Sequence, residues 1–365
     1  MIRSHLTAGS AHRLQVGKWK WLNRIRIIVL SGVAFVTVAC QSVPVGREEA
    51  AIPGPLARAF MAEQRVDLLN FRLERSIHLR SMIYHPQGMT KVGSYFFVSA
   101  VEVIEQPRHF QSTDGGRMPD RTPGSGRGHL FKFDEQGNLI DQTILGEGSI
   151  YHPGGMDYDG KHLWVAVAEY RPYGRSIVYQ VDPDDLEYRE VFRVADHIGA
   201  LIYNRRDGFI HGVSWGSREF YTWTASGSLV QRSENGAHYV DYQDCQFVRP
   251  EYMLCSGMAT YSLPSLGSFA LGGMELVRIT DSAPVHQVPV VIYPDEENAK
   301  VVMTRNPMFA EMRSGVLTFY FLPEDPNAPQ GATDEVGPAA GKAARTPKGS
   351  IIYVVTTRSP AVAED

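Results

Sequence analysis

His152-Pro153-Gly154-Gly155-Met156, carried through an Asp159-Gly160 turn into Leu163-Trp164-Val165-Ala166-Val167, is the stretch that decides the fold of this 365-residue chain. Asp-Gly reverses the backbone, and a short apolar run bounded by turn residues is a buried strand. The arrangement recurs on either side. His85-Pro86-Gln87-Gly88-Met89 leads into Tyr95-Phe96-Phe97-Val98-Ser99, and His197-Ile198-Gly199-Ala200-Leu201 leads through Asp207-Gly208 into Phe209–Trp215. A fourth unit opens at Tyr242-Gln243-Asp244-Cys245 and a fifth at Asn306-Pro307-Met308. These last two keep the strand pattern without the histidine.

The openings lie 67, 45, 46 and about 63 residues apart. Each unit adds further strands, such as Leu130–Asp134, Ile177–Asp182 and Glu275–Ile279. Four strands in forty to fifty residues is the size of a propeller blade. The expected fold is all-β, a β-propeller of five four-stranded antiparallel blades over residues 71–358, with six blades as the alternative. The last unit shows only three strands, and Phe71–Leu79 is the strand that would complete it and leave no open edge.

The ends of the chain read differently. Residues 1–39 hold six Lys/Arg and no acid, which leaves 30 basic against 40 acidic residues, a formal charge of −10, for the remainder. So acidic a body, with no basic stripe, argues against nucleic acid as partner. The apolar run Ile27–Ala39 is too short to span a bilayer and suits a signal peptide. It ends in Thr37-Val38-Ala39-Cys40, which resembles the bacterial lipoprotein processing box, although Thr37 stands where Leu is usual. The resemblance implies lipidation of Cys40, with Gln41 favouring the periplasmic face of the outer membrane; the alternative is a soluble periplasmic or secreted protein. Residues 40–70 then read as a tether and 359–365 as a tail, the membrane being reached through the lipid alone. Nothing in the pattern calls for more than a monomer.

Cys245 and Cys255 each lie five residues from Pro250. In a hairpin they face each other, compatible with a disulfide in an oxidising compartment; two free buried thiols are the other reading.

In a propeller blade the start of the innermost strand and the end of the second open on one face. That face would gather His85, His152, Asp196, His197, Gln243, Asp244 and Asn306 from the openings. From the second-strand ends it would gather Glu102, Glu169, Tyr170, Arg171, Trp215, Ser217, Arg218, Met258, Glu324 and Asp325. Glycines beside the histidines let crowded inner strands approach. Gly/Pro/Ser-rich insertions at Ile104–Gly128, Ala259–Gly273 and Asn327–Gly349 emerge on the same face and suggest a lid.

Blade pattern over residues 71–358 resembles the bacterial propellers that include gluconolactonase and senescence-marker-type hydrolases, and looks closest to an uncharacterised exported branch. Those hydrolases hold a divalent cation through Glu, Asn and Asp, positions that are His-rich here. From the residues themselves, His85, His152 and His197 with Glu169 would hold Zn²⁺, Mn²⁺, Fe²⁺ or Ca²⁺. Metal-free acid–base work is the alternative, with Glu102 or Glu169 orienting an imidazole and Arg171 or Arg218 binding an anionic group. Tyr170, Trp215, Asp196, Gln243 and Asn306 would contact a ligand. A third reading leaves the histidines as strand-head hydrogen bonders. No paired CxxC or phosphate loop is present. The expected function is therefore a hydrolase or lyase acting on a small ester, lactone or sugar-derived ligand. A non-enzymatic scaffold for an envelope protein or glycan is the alternative.

Overall fold

The computed structural model describes residues 52–111, 118–263, 267–292, 302–323 and 350–358. The segment 1–39, Cys40, Glu324, Asp325, the third insertion and the tail lie outside them.

A short helix α1 (Pro55–Met61) starts at a proline, whose missing N–H costs nothing in a first turn. Almost everything after it is strand. β1 (Phe71–His78) is followed by a first meander of β2 (His85–Val92), β3 (Tyr95–Glu105), β4 (Ser125–Asp134) and β5 (Leu139–Leu145). The second meander comprises β6 (Ile150–Tyr158), β7 (Leu163–Glu169), β8 (Ser176–Val181) and β9 (Tyr188–Val194). In the third are β10 (Ile198–Tyr203), β11 (Ile210–Ser214), β12 (Glu219–Trp223) and β13 (Leu229–Glu234). The fourth contains β14 (Asp241–Val248), β15 (Tyr252–Leu263), β16 (Gly267–Arg278) and β17 (Ala283–Val290). Last come β18 (Met308–Arg313), β19 (Val316–Phe321) and β20 (Ile351–Thr357), and β1 pairs antiparallel with β20 as the fourth strand of that sheet. The fold is β-propeller-like. The second and third meanders join through a parallel bridge, Ala200 to Gly155, between their innermost strands.

Register slips in four innermost strands just after the opening residues: Pro86/Gly88, Pro153/Met156, Ile198/Ala200 and Tyr242/Asp244. The extra residue of a bulge takes backbone groups out of their own ladder. Side chains of other meanders take up backbone groups of the innermost strands, the Gly154 carbonyl in the β6 bulge among them. Asp244 Oδ2 accepts from the Met89 N–H at 2.8 Å, and Asp157 Oδ2 from Tyr203 and Phe247 N–H, each at 3.2 Å. Ser99 Oγ donates to Gly154 O at 2.7 Å, and Gln246 exchanges two bonds with the Ala310 backbone. A Cβ on Gly154 would sit 2.1 Å from Gly199 O, and one on Gly155 2.4 Å from Asp244 Oδ1. Glycine is required there by close approach, as the sequence implied.

The stretch read as a tether is packed from Gly54 onward. Ala57 and Phe60 are fully buried, His286 Nε2 donates to Glu63 O at 2.6 Å, and Val66 bridges to Val290. Two apolar side chains three residues apart, on one face of the helix, seat this short turn in the core. The second insertion is likewise not a loop: β15 and β16 stay in register out to Leu263 and Gly267. Cys245 and Cys255 are directly paired, with Cα atoms 4.1 Å apart, and form a disulfide.

Candidate functional site

His152 enters β6 on a strand whose partner, β7, ends at Glu169, so Tyr170 stands beside it. The two rings stack with centroids 4.2 Å apart. His197 immediately precedes β10 and lies 5.6 Å from His152, ring to ring. Its Nδ1 is 2.7 Å from the Glu169 carbonyl oxygen. A carbonyl only accepts, so that nitrogen carries the hydrogen and Nε2 carries the basic lone pair. Trp215, in a single helical turn after β11, meets His197 edge to face at 4.8 Å and lies 5.8 Å from Tyr170. Four of the expected residues, from the second and third meanders, thus form one wall.

The first insertion covers it. The Arg121 guanidinium lies 4.9 Å over the Trp215 ring, and Tyr151 Oη donates to Pro123 O at 2.6 Å. Val101 and Tyr151 complete the apolar surround. Sequence reasoning missed Arg121 and Tyr151. Tyr151 adjoins the repeated histidine and was within reach; Arg121 sits in a stretch without period and carried no signal.

Burial, then the nearby His197 and His85, push His152 well below the usual imidazole range. It is neutral at physiological pH, and its Nδ1 is buried with no hydrogen-bond partner. His85, at the head of β2, is buried as well.

Glu169 does not face this wall as a ligand. Its carboxylate takes Arg171 at 2.7 Å, Arg175 at 2.7 Å and Ser149 Oγ at 2.7 Å, at 1 % side-chain exposure. Burial raises its pKa, but those bonds outweigh it and hold the group below the usual range. Arg171, expected as an anion binder, is one arm of this clamp. Among the described residues no group of three His, Cys, Asp or Glu side chains is placed to hold a metal ion.

The other expected residues are dispersed. Asp196 is buried and accepts from Tyr221 Oη and from the His197 N–H, each at 2.8 Å. Asn306 Nδ2 donates to Pro323 O at 2.5 Å. Arg218 is held by His238 and Asp241. Gln243 occupies the bulge of β14, half-buried. Glu102 joins a separate group on the first meander, 3.1 Å from Arg127 and 3.2 Å from His129 Nε2, with Tyr84 stacked on His129 at 4.7 Å. His129, on a third strand outside the repeat, was not marked by the sequence. Its pKa is lowered by burial against the opposing pull of Glu102.

Residues 67–334 match a family of unknown function, DUF6454. No curated protein matches the chain. Among solved structures, Kuenenia stuttgartiensis hydrazine synthase is 12 % identical at a TM-score of 0.35, covering 71 % of this chain and 61 % of its own. This chain therefore spans about three fifths of that one. A member of the duf4221 family from Bacteroides vulgatus is 10 % identical at 0.35, covering 79 % of this chain and 99 % of its own. A luciferin-regenerating enzyme is 8 % identical at 0.40, covering 79 % and 97 %.

Proposed function

We propose, for a chain that belongs to the family of unknown function DUF6454, that the wall of His152, Tyr170, His197 and Trp215 binds a small oxygen-rich molecule, a sugar-derived lactone or ester, and hydrolyses it. The observation that carries this is the 2.7 Å bond from His197 Nδ1 to the Glu169 carbonyl, which fixes Nε2 as the basic nitrogen beside an aromatic wall. In the step proposed, Nε2 takes a proton from water as the water oxygen bonds to the carbonyl carbon. The tetrahedral adduct then expels the alkoxide, and the imidazolium returns the proton to it. Trp215 and Tyr170 offer ring faces to the apolar side of a sugar, and Arg121 lies where an ester oxygen would gain a cationic neighbour. The clamped Glu169 supports the reading indirectly, because it holds the carbonyl in place through its own backbone.

The same reading takes the five meanders as five blades with β1 closing the last. It also takes the chain as exported and tethered through Cys40 to the periplasmic face of the outer membrane. A second reading, a binding module without turnover, is favoured by the packing of both imidazoles on aromatic rings, His152 stacked on Tyr170 and His197 edge to face with Trp215.

One titration separates them. Glucono-1,5-lactone is added to the purified chain while indole fluorescence reports binding and a pH-stat reports acid release. Quenching lost in Trp215→Phe, together with acid release lost in His197→Gln, is expected. Quenching without acid release above the buffer rate selects the binding module. No quenching up to ~10 mM, weaker than any affinity of use, sinks both.

A further inference from the structure

Far from the histidine wall, the sheet of the fifth meander carries a groove of about 570 Å³ near the turn between β18 and β19. Its lining includes Arg72, Arg313, Arg358, Thr318, Thr356 and Glu74. The innermost strands begin at the histidine end, so this turn lies at the opposite end of the molecule. Register explains how the polar groups meet. Arg72 on β1 faces Thr356 on β20, and Thr356 faces Thr318 on β19. Residues directly opposite on neighbouring strands share a face, so one guanidinium and two hydroxyls form a row across three strands.

Four features of the groove call for an anion. The lining carries three guanidinium groups and one carboxylate, on a chain with an excess of acid. Among the described residues Glu74 pairs with Arg313 alone, at 3.8 Å and with both side chains well exposed, where an ion pair is weakly held. Arg72 has no ion-pair partner among the described residues. Thr356, only 5 % exposed, has a buried Oγ1 with no hydrogen-bond partner. A buried hydroxyl left unpaired is costly, and Thr356 lines the same groove as the three arginines.

We propose that this groove binds a soluble phosphorylated small molecule, its phosphate held by Arg72, Arg313 and Arg358 and by the Thr356 hydroxyl. Arginine supplies the paired donors that phosphate oxygens take. The volume is in the range of small-molecule sites and exceeds what a bare ion fills, so an organic body of sugar size accompanies the phosphate. The site shares no residue with the histidine wall, and the failure of either assignment leaves the other standing.

Calorimetric titration of the full chain with glucose 6-phosphate, glucose and inorganic phosphate tests it, with chloride at equal ionic strength as control. Glucose 6-phosphate is expected to bind at one site, with inorganic phosphate weaker and glucose silent. Arg72→Ala and Arg313→Ala should each weaken binding by about tenfold or more, as loss of a charge-assisted pair does. Thr356→Val keeps shape and loses only the hydroxyl, so it should weaken binding several-fold while the melting temperature without ligand holds or rises. If Arg72→Ala does not fold, Arg72→Lys keeps the charge, loses the paired donors, and should still bind more weakly than wild type. Equal binding by wild type and the folded variants overturns the assignment. So does binding to phosphatidylglycerol vesicles without binding to glucose 6-phosphate, since that selects a lipid surface instead.

Discussion

His152 and His197 lie side by side, yet different forces hold them. His197 is oriented by a hydrogen bond to the Glu169 carbonyl, whereas His152 is held by stacking and keeps a buried nitrogen without a partner. An unpaired buried polar atom costs about 1–3 kcal/mol, so His152→Phe, which keeps the stack and removes the nitrogen, should leave stability unchanged or raise it. Urea unfolding midpoints check this; a loss of more than about 1 kcal/mol would mean the imidazole has a partner after all.

Two further buried groups set the response to pH, in opposite senses. Burial lowers His211 to about 4, so the folded protein binds fewer protons than the unfolded chain between that value and 6.5. Stability is therefore full above 6.5 and falls as pH drops toward 4, by at most about 3 kcal/mol, and His211→Gln should flatten that fall. Burial raises Asp157 to about 6, against opposing bonds from Arg205 and backbone N–H groups. Its contribution is full below 3.8 and is lost as pH rises through 6, so Asp157→Asn should remove a decline of the other sign. Unfolding midpoints taken from pH 3.5 to 7.5 distinguish the two variants.

The convergence of His152, His197, Tyr170 and Trp215 was legible because each marks a strand end in a repeating unit. The fate of Glu169 was only half legible. A carboxylate closing an apolar strand demanded a partner, but Arg175, six residues on, is chosen by the turn between β7 and β8, which no local pattern encodes.

At the scale of elements, side chains that reach from one sheet to the innermost strand of another do the joining. Asp244 and Asp157 accept from backbone N–H groups of other meanders, and Ser99 reaches the Gly154 carbonyl in the bulge of β6. The strands themselves were readable from turn residues and apolar runs. Helix α1 and the extended β15–β16 hairpin were not, since one is too short for a period and the other is rich in turn-forming residues. Gly154→Ala places a methyl against the Gly199 carbonyl and should cost about 1–3 kcal/mol, read from urea midpoints, while Gly236→Ala, with nothing within 4 Å, meets no such clash. The Cys245–Cys255 bridge closes a short loop at a sequence separation of 10, so Cys245→Ala/Cys255→Ala should lower stability by about 2–3 kcal/mol. Matching unfolding curves with and without dithiothreitol would contradict that.

For the whole molecule, the Cys40 proposal makes one demand. Cells expressing the full chain should hold it in the membrane fraction, and Cys40→Ala should release it to the soluble periplasmic fraction without changing its melting temperature. Membrane retention by the variant would place the attachment elsewhere.

The glycine contacts among the innermost strands also bear on where a ligand would go. Gly154 lies against Gly199 and Gly155 against Asp244 and Ala200, so backbone of the second, third and fourth meanders closes up near His152. On the proposed function, a molecule bound beside Trp215 would then enter and leave on the Arg121 side, and the arginine groove would fill and empty independently of it.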